Sequence, residues 1–247
     1  DTITVTVTIT NVNEAPVFSS TGTTSATEDT AYAYIAITTD AEGQTITLAG
    51  TTIPDWANFV DVGTGSGVLS GTPENGDVGT HNVVITATDA SSASTTQSFV
   101  ITVINTNDAP TLSSAISDAS HAEDAAYSLD VTGNFNDVDA SDTLSYAATG
   151  MPSTLTMSAA GTISGTPVNA DVGTHTIVVT ATESASAAGT VSDTFILTIT
   201  NTNDALTISS TAVTTATEDA SYTYTVTTAD VDVGDTSTLT GTTVPSW

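Results

Sequence analysis

The side chains of this chain that can do chemistry are almost all oxygen donors. Asp and Glu number 28, Lys and Arg are both absent, and there are three His and no Cys in 247 residues. The acidic residues recur in company. Asn11-Val12-Asn13-Glu14, Asn105-Thr106-Asn107-Asp108 and Asn201-Thr202-Asn203-Asp204 are three versions of one motif, and Glu28-Asp29, Glu123-Asp124 and Glu218-Asp219 are three versions of another. Clustered carboxylates repel unless something neutralises them. With no Lys or Arg to pair with, each must be solvated, hydrogen-bonded, spaced from its neighbours or bound to a metal ion. A chain of formal charge −28 attracts cations.

Other chemistries find little support. Without basic residues the chain cannot neutralise a phosphate backbone, so nucleic-acid binding is not expected. A phosphate-binding loop lacks its Lys, and a polybasic membrane anchor is excluded. No apolar run reaches the roughly 20 residues of a membrane-spanning helix, and no membrane insertion is expected in this segment. There is no Gly-x-Ser-x-Gly elbow and no Cys nucleophile. His81 and His175 occupy equivalent strand-start positions and read as structural, while His121 stands alone. The chain therefore reads as no enzyme. Trp56 and Trp247 each follow a Pro-x pair and are expected to cap a core. A carbohydrate-binding role for Trp56 is the least supported reading.

The elements that must position the acidic motifs are strands. Thr2–Thr10 alternates Thr with Ile or Val, a period of two. Gln97–Ile104 and Asp193–Thr200 hold the same place in later repeats, and His81–Asp89 and His175–Glu183 carry β-branched runs. Gly71-Thr72-Pro73 and Gly165-Thr166-Pro167 punctuate the gaps. The Ala-rich stretch Asp118–Asp130 could form a short helix, but its counterpart Ala26–Ile37 is rich in Thr, Tyr and Ile, so both are assigned as β. All these markers return about every 95 residues, which signals tandem domains. The expected divisions are 1–13, the last strand of a preceding repeat plus linker; 14–107 and 108–203, two whole domains; and 204–247, the start of a truncated further repeat. The parent chain is expected to continue in both directions.

The linker Asn105-Thr106-Asn107-Asp108-Ala109-Pro110 resembles that of cadherins. Leu69-Ser70-Gly71-Thr72-Pro73, Gly79-Thr80-His81 and Thr86-Ala87-Thr88-Asp89 together resemble dystroglycan-type cadherin-like domains and the Ig-like domains of large bacterial surface proteins. The resemblance implies an all-β fold: tandem Greek-key β-sandwich domains, cadherin/Ig-like, each of seven strands. It also implies Ca2+ between domains. By resemblance the first junction would use Glu28, Asp77, Asn105, Asn107, Asp108, Asp137, Asp139 and Glu183. The second would use Glu123, Asp171, Asn201, Asn203, Asp204, Asp230 and Asp232. The leading junction would use Asn11, Asn13, Glu14, Asp40, Glu42 and Asp89, with Glu14 and Glu42 departing from the usual Asp. The implied role is that of an extracellular, cell-surface spacer or adhesive stalk stiffened by calcium. Its partners would be neighbouring repeats of the same chain, other copies of itself or a surface receptor. The alternative is a subunit of a self-assembling filament or sheath, since Thr-Val-Thr-Ile edges carry no Lys to block pairing.

Overall fold

A computed structural model describes residues 1–184 and 189–241. The chain divides into two compact units, Asp1–Asp108 and the residues from Ala109 onward. Each contains one β-sandwich, and each is described by itself.

The first unit has strands β1 Val17–Phe18, β2 Ser25–Thr27, β3 Tyr32–Thr39, β4 Thr47–Thr52, β5 Ala57–Gly63, β6 Ser66–Gly71, β7 Gly79–Thr88 and β8 Ser94–Ile104. Two four-stranded sheets form, in the orders β1-β3-β6-β5 and β2-β8-β7-β4. All pairs are antiparallel except β2 with β8. The chain passes between sheets after β1, β2, β3, β4 and β6, which is the Greek-key arrangement. Eight short strands stand where seven were expected, because the first is divided between the sheets. Gly22 lies in the break, and a Cβ there would sit 2.5 Å from the Phe99 ring.

Alternation decides which face is buried. On β3, Tyr32, Tyr34, Ala36 and Thr38 point inward while the residues between them are exposed. They meet Leu48, Leu69, Val83, Ile85, Ile101 and Val103. Burying each large aliphatic side chain contributes about 2–3 kcal/mol. Trp56 is half-buried against this core, edge-on to Tyr32 and His81, which bears out its reading as a cap. Trp247 lies outside the described residues.

The second unit repeats the plan with β9 Thr111–Leu112, β10 Ala119–Ala122, β11 Tyr127–Asp130, β12 Phe135–Asn136, β13 Leu144–Thr149, β14 Leu155–Met157, β15 Thr162–Gly165, β16 Gly173–Glu183 and β17 Thr190–Thr200. One sheet has the order β10-β17-β16-β13; on the other face lie β11-β15-β14 and β12-β9. The Ala-rich stretch is strand, as its repeat counterpart implied. Its core centres on Val131, Ile163, Ile177, Val179, Phe195, Leu197 and Ile199.

Two stretches differ from the alternation rule. Thr2–Thr10 forms no strand, and Ile3 and Ile9 are 89% and 90% exposed. After Asp204 only β18 Thr207–Ile208 and β19 Thr228–Ala229 pair among the described residues. The reason is the same in both. A period-two pattern makes a strand only where a neighbouring strand takes its backbone hydrogen bonds and a second sheet covers its apolar face.

Candidate metal centres

The Gly-Thr-Pro motif that punctuates the strands also holds the buried glutamates. Asp29 donates its N–H to the Pro73 carbonyl at 2.8 Å, and Asp124 donates to that of Pro167 at 2.9 Å. Both Asp residues adopt positive φ, 56° and 60°, a conformation that short polar side chains tolerate. The preceding Glu28 and Glu123 donate their N–H groups to Ile104 and Thr200 at the end of the last strand, at 3.1 and 3.0 Å. Each glutamate is thereby pinned under its sandwich, 1% exposed. The glycine of the motif allows the turn: a Cβ on Gly71 would lie 2.2 Å from the Trp56 carbonyl oxygen.

In the second unit, Glu123 accepts the Thr202 N–H on Oε1 at 3.0 Å, while its Oε2 is buried with no hydrogen-bond partner. Carboxylate oxygens of Glu123, Asp124 and Asp204 lie within 4.8 Å of one another. Partial burial, and after it the charges of Asp124, Asp232 and Asp230, push the Asp204 carboxyl above its ordinary pKa. Asp230, Asp232 and Asp235 form a second such group. The two adjoin, since Asp232 accepts the Asp204 N–H at 2.6 Å and an amide hydrogen of Asn169 at 3.1 Å. Asn169 also donates to Asn201 at 3.4 Å, and Asn203 turns its amide nitrogen onto the Asp204 carbonyl at 2.8 Å.

A third group gathers Asp137, Asp142 and Glu183. Burial raises the Asp137 pKa and the facing Glu183 adds to it, against a hydrogen bond from the Asp139 N–H. Asp139 is itself buried. Glu183 accepts the Gly189 N–H at 2.5 Å, and Asp142 accepts the Ser184 hydroxyl at 3.3 Å.

In the first unit, Glu28 accepts the Thr106 N–H, and its Oε2 is likewise buried without a partner. A carboxylate oxygen of Asp108 lies within 4.8 Å of one of the Glu28 carboxylate oxygens. Asn105 and Asn107 donate their amide hydrogens to linker carbonyls, at 3.3 Å each.

At the opposite end, Asp40 accepts the N–H groups of Glu42 and Gln44 at 2.9 Å on Oδ1, and its Oδ2 is orphaned. Glu42 accepts the Glu14 N–H at 3.1 Å. Asp89 is buried and accepts from Asn13 at 2.8 Å; Asn11 is exposed.

Asp77 and Asp171 stand apart from every group. Each folds back on a 3-10 turn, at Asn75–Asp77 and Asn169–Asp171, accepting the N–H of Glu74 and Val168 respectively. Asp171 also accepts the Thr154 hydroxyl at 2.6 Å. His81 and His175 bond the carbonyls of these same two residues at 2.6 and 2.7 Å, a structural role. Asp142, Asp235 and Asn169 were not singled out from the sequence, and Asp124 only as half of the repeated Glu-Asp pair. Asp142 and Asp235 were findable, because each immediately precedes the Thr (143, 236) that follows the repeated Asp-x-Asp.

The profile described as Putative Ig domain matches residues 15–104 and 109–200. The chain belongs to that family, in two tandem copies. No curated protein sequence matches it. Among solved structures it is similar to the EC1-2 fragment of human mucin-like protocadherin, at 15% identity and a TM-score of 0.56, over 76% of this chain and 98% of that one. It is also similar to the extracellular domain of protocadherin GammaB4, at 16% identity and 0.58, over 90% of this chain and 41% of that one. These likenesses establish the fold as cadherin-like tandem sandwiches. An endo-fucoidan hydrolase of glycoside hydrolase family 107 aligns at 24% identity over 76% of this chain, with a TM-score of 0.37. This chain spans 29% of that protein's length. The family and the protocadherin neighbours are structural domains rather than enzymes.

Proposed function

We propose that this chain is a stretch of an extracellular surface protein whose tandem sandwiches serve as a spacer or adhesive stalk, with the linker at Asn201–Asp204 stiffened by calcium. The observation that carries this reading is the Glu123 carboxylate: buried, held by one oxygen, its other oxygen without a hydrogen-bond partner, and with a carboxylate oxygen each of Asp124 and Asp204 within 4.8 Å of one of its own. An ionised group so placed is costly unless a cation completes it. The ligand chemistry fits calcium, which takes six to eight hard oxygens in an adaptable shell, better than magnesium, which demands a tight octahedron. Glu123, Asp124, Asp204, Asp230, Asp232 and Asp235 would hold the ion or ions. No helix among the described residues is long and apolar enough to cross a membrane.

The test is calorimetric titration of the full chain with calcium and magnesium, beside the double variant Asp230→Ala, Asp232→Ala. Saturable calcium binding, weaker for magnesium and reduced in the variant, is expected. Identical heats for wild type and variant, or none at all, would overturn the assignment.

A filament subunit is the second reading, favoured by one face of the first unit. There Ile35, Val68 and Val60 lie in one row across the sheet, with exposed Ile37 and Val62 beside them. Concentration-dependent sedimentation abolished by Val60→Thr would support it.

A further inference from the structure

The repeats put three acidic positions in the same order: Asp137, Asp139 and Asp142 in one copy, Asp230, Asp232 and Asp235 in the next. In the first unit the loop after Asp40 and Glu42 is one residue shorter, and the residue before the corresponding Thr, here Thr45, is Gln44. This exchange replaces an anion with an amide that both donates and accepts.

Its consequence is a directed chain of hydrogen bonds. Asp89 takes two backbone N–H groups on Oδ1, from Ser91 at 2.9 Å and Ala93 at 2.8 Å. Its Oδ2 takes the Asn13 amide hydrogen at 2.8 Å. The Asn13 oxygen accepts from the Gln44 amide nitrogen, and the Gln44 oxygen accepts the Ser91 hydroxyl at 3.0 Å. The carboxylate fixes the sense of the whole chain, because an anion can only accept. The Asn13 donor, ahead of the backbone N–H groups of Ala93, Ser91 and Ser92 and against burial, holds the Asp89 carboxyl below its ordinary pKa. Glu42 meanwhile accepts the Glu14 N–H.

We propose that Gln44 decides the character of this end of the first unit: it fastens the Asn13-Glu14 linker by amide hydrogen bonds, so that this linker is ordered without a cation. An NH2 group aimed into the cluster cannot ligate a metal, and it uses the Asn13 oxygen that a metal would need. Asp40 Oδ2 is the one buried oxygen of this cluster without a hydrogen-bond partner among the described residues, and calcium takes six to eight. The lock is present in the metal-free chain, so it stands independently of calcium binding at Asn201–Asp204.

The test is NMR on the full 15N-labelled chain in chelator, then through a calcium titration. In chelator, the side-chain amide protons of Asn13 should exchange roughly tenfold more slowly than in Gln44→Ala, the scale of one lost hydrogen bond. Rapid Asn13 exchange in wild type and variant alike would overturn the lock. On adding calcium, the Asn13 and Gln44 amide resonances should stay in place. Movement of both with saturable calcium dependence would overturn the proposal even if the chelator result held. The variant Gln44→Asp restores the acidic triad, and its Asn13 should loosen in chelator; retained slow exchange there would show that residue 44 is not the fastener. If calcium bound nowhere on the chain, the proposal for Asn201–Asp204 would fail, while the chelator comparison would still decide this one.

Discussion

Replacing Glu123 by Gln separates a metal ligand from a structural acceptor. Gln keeps Oε1, and with it the hydrogen bond from Thr202 at 3.0 Å. It exchanges the orphaned Oε2 for an NH2, a donor in a carboxylate group that has an oxygen each of Asp124 and Asp204 within 4.8 Å of one of its own. In chelator the variant loses a repulsion and gains a donor, so it should melt no lower than wild type. In calcium the ranking should reverse. Sites of extracellular modules bind calcium with Kd on the order of 10⁻⁴–10⁻³ M. At about 10 mM calcium, mass action then stabilises the wild type by roughly 1.4–2.7 kcal/mol. For a domain of about 100 residues, each kcal/mol moves Tm by about 4–8 °C, so calcium should raise it by roughly 6–20 °C. Less than half that rise should survive in the variant. Calorimetric melting of the full chain in chelator and in calcium reads both quantities. A variant that melts below wild type in chelator, with an undiminished calcium shift, would refute the reasoning and leave Glu123 as an acceptor for the linker backbone only.

Three further outcomes test the fold beneath the site. Leu69→Ala empties a position with no exposure at the centre of the first core, and urea unfolding should show a loss of about 3–5 kcal/mol. Gly71→Ala drives a methyl against the Trp56 carbonyl, so the first unit should lose about 1–3 kcal/mol, read by tryptophan fluorescence; an unchanged midpoint would show that the Gly-Thr-Pro turn tolerates a side chain. Burial alone would raise the Asp171 pKa, but bonds from Thr154, Val168 and Ser153 and the nearby His175 outweigh it and hold the group below its ordinary value. A folded-state pKa depressed in this way contributes stability that is complete above the unfolded pKa of about 3.9 and is lost as pH falls through the folded value. Thr154→Ala should therefore lose stability near neutral pH and show a shallower decline below about pH 4, measured as urea midpoint against pH.

Much of this was legible without coordinates. Markers returning about every 95 residues set the two domains, and the β assignment of Ala26–Ile37, His81–Asp89 and His175–Glu183 marked the stretches in which Tyr32, Tyr34, Ile85 and Ile177 prove to be core, because a strand's side chains alternate whatever surrounds it. The absence of Lys and Arg made every acidic cluster a candidate for a cation. Alternation did not determine whether a partner existed, and so Thr2–Thr10 reads as a strand yet pairs with none of the described residues. Nor did residue type tell Asp171 from Asp232. Both are buried acids in repeated positions, but one folds back to bond Val168 and Thr154, while the other receives the linker N–H of Asp204. Gln44 makes the same point. In sequence it is a polar residue in a loop, and it becomes a fastener only where the turn carrying Asp89 and Ser91 meets Asn13. Repetition and polarity are written residue by residue, but which oxygen faces which donor depends on segments some 80 residues apart reaching one place, and only the folded sandwich brings them there.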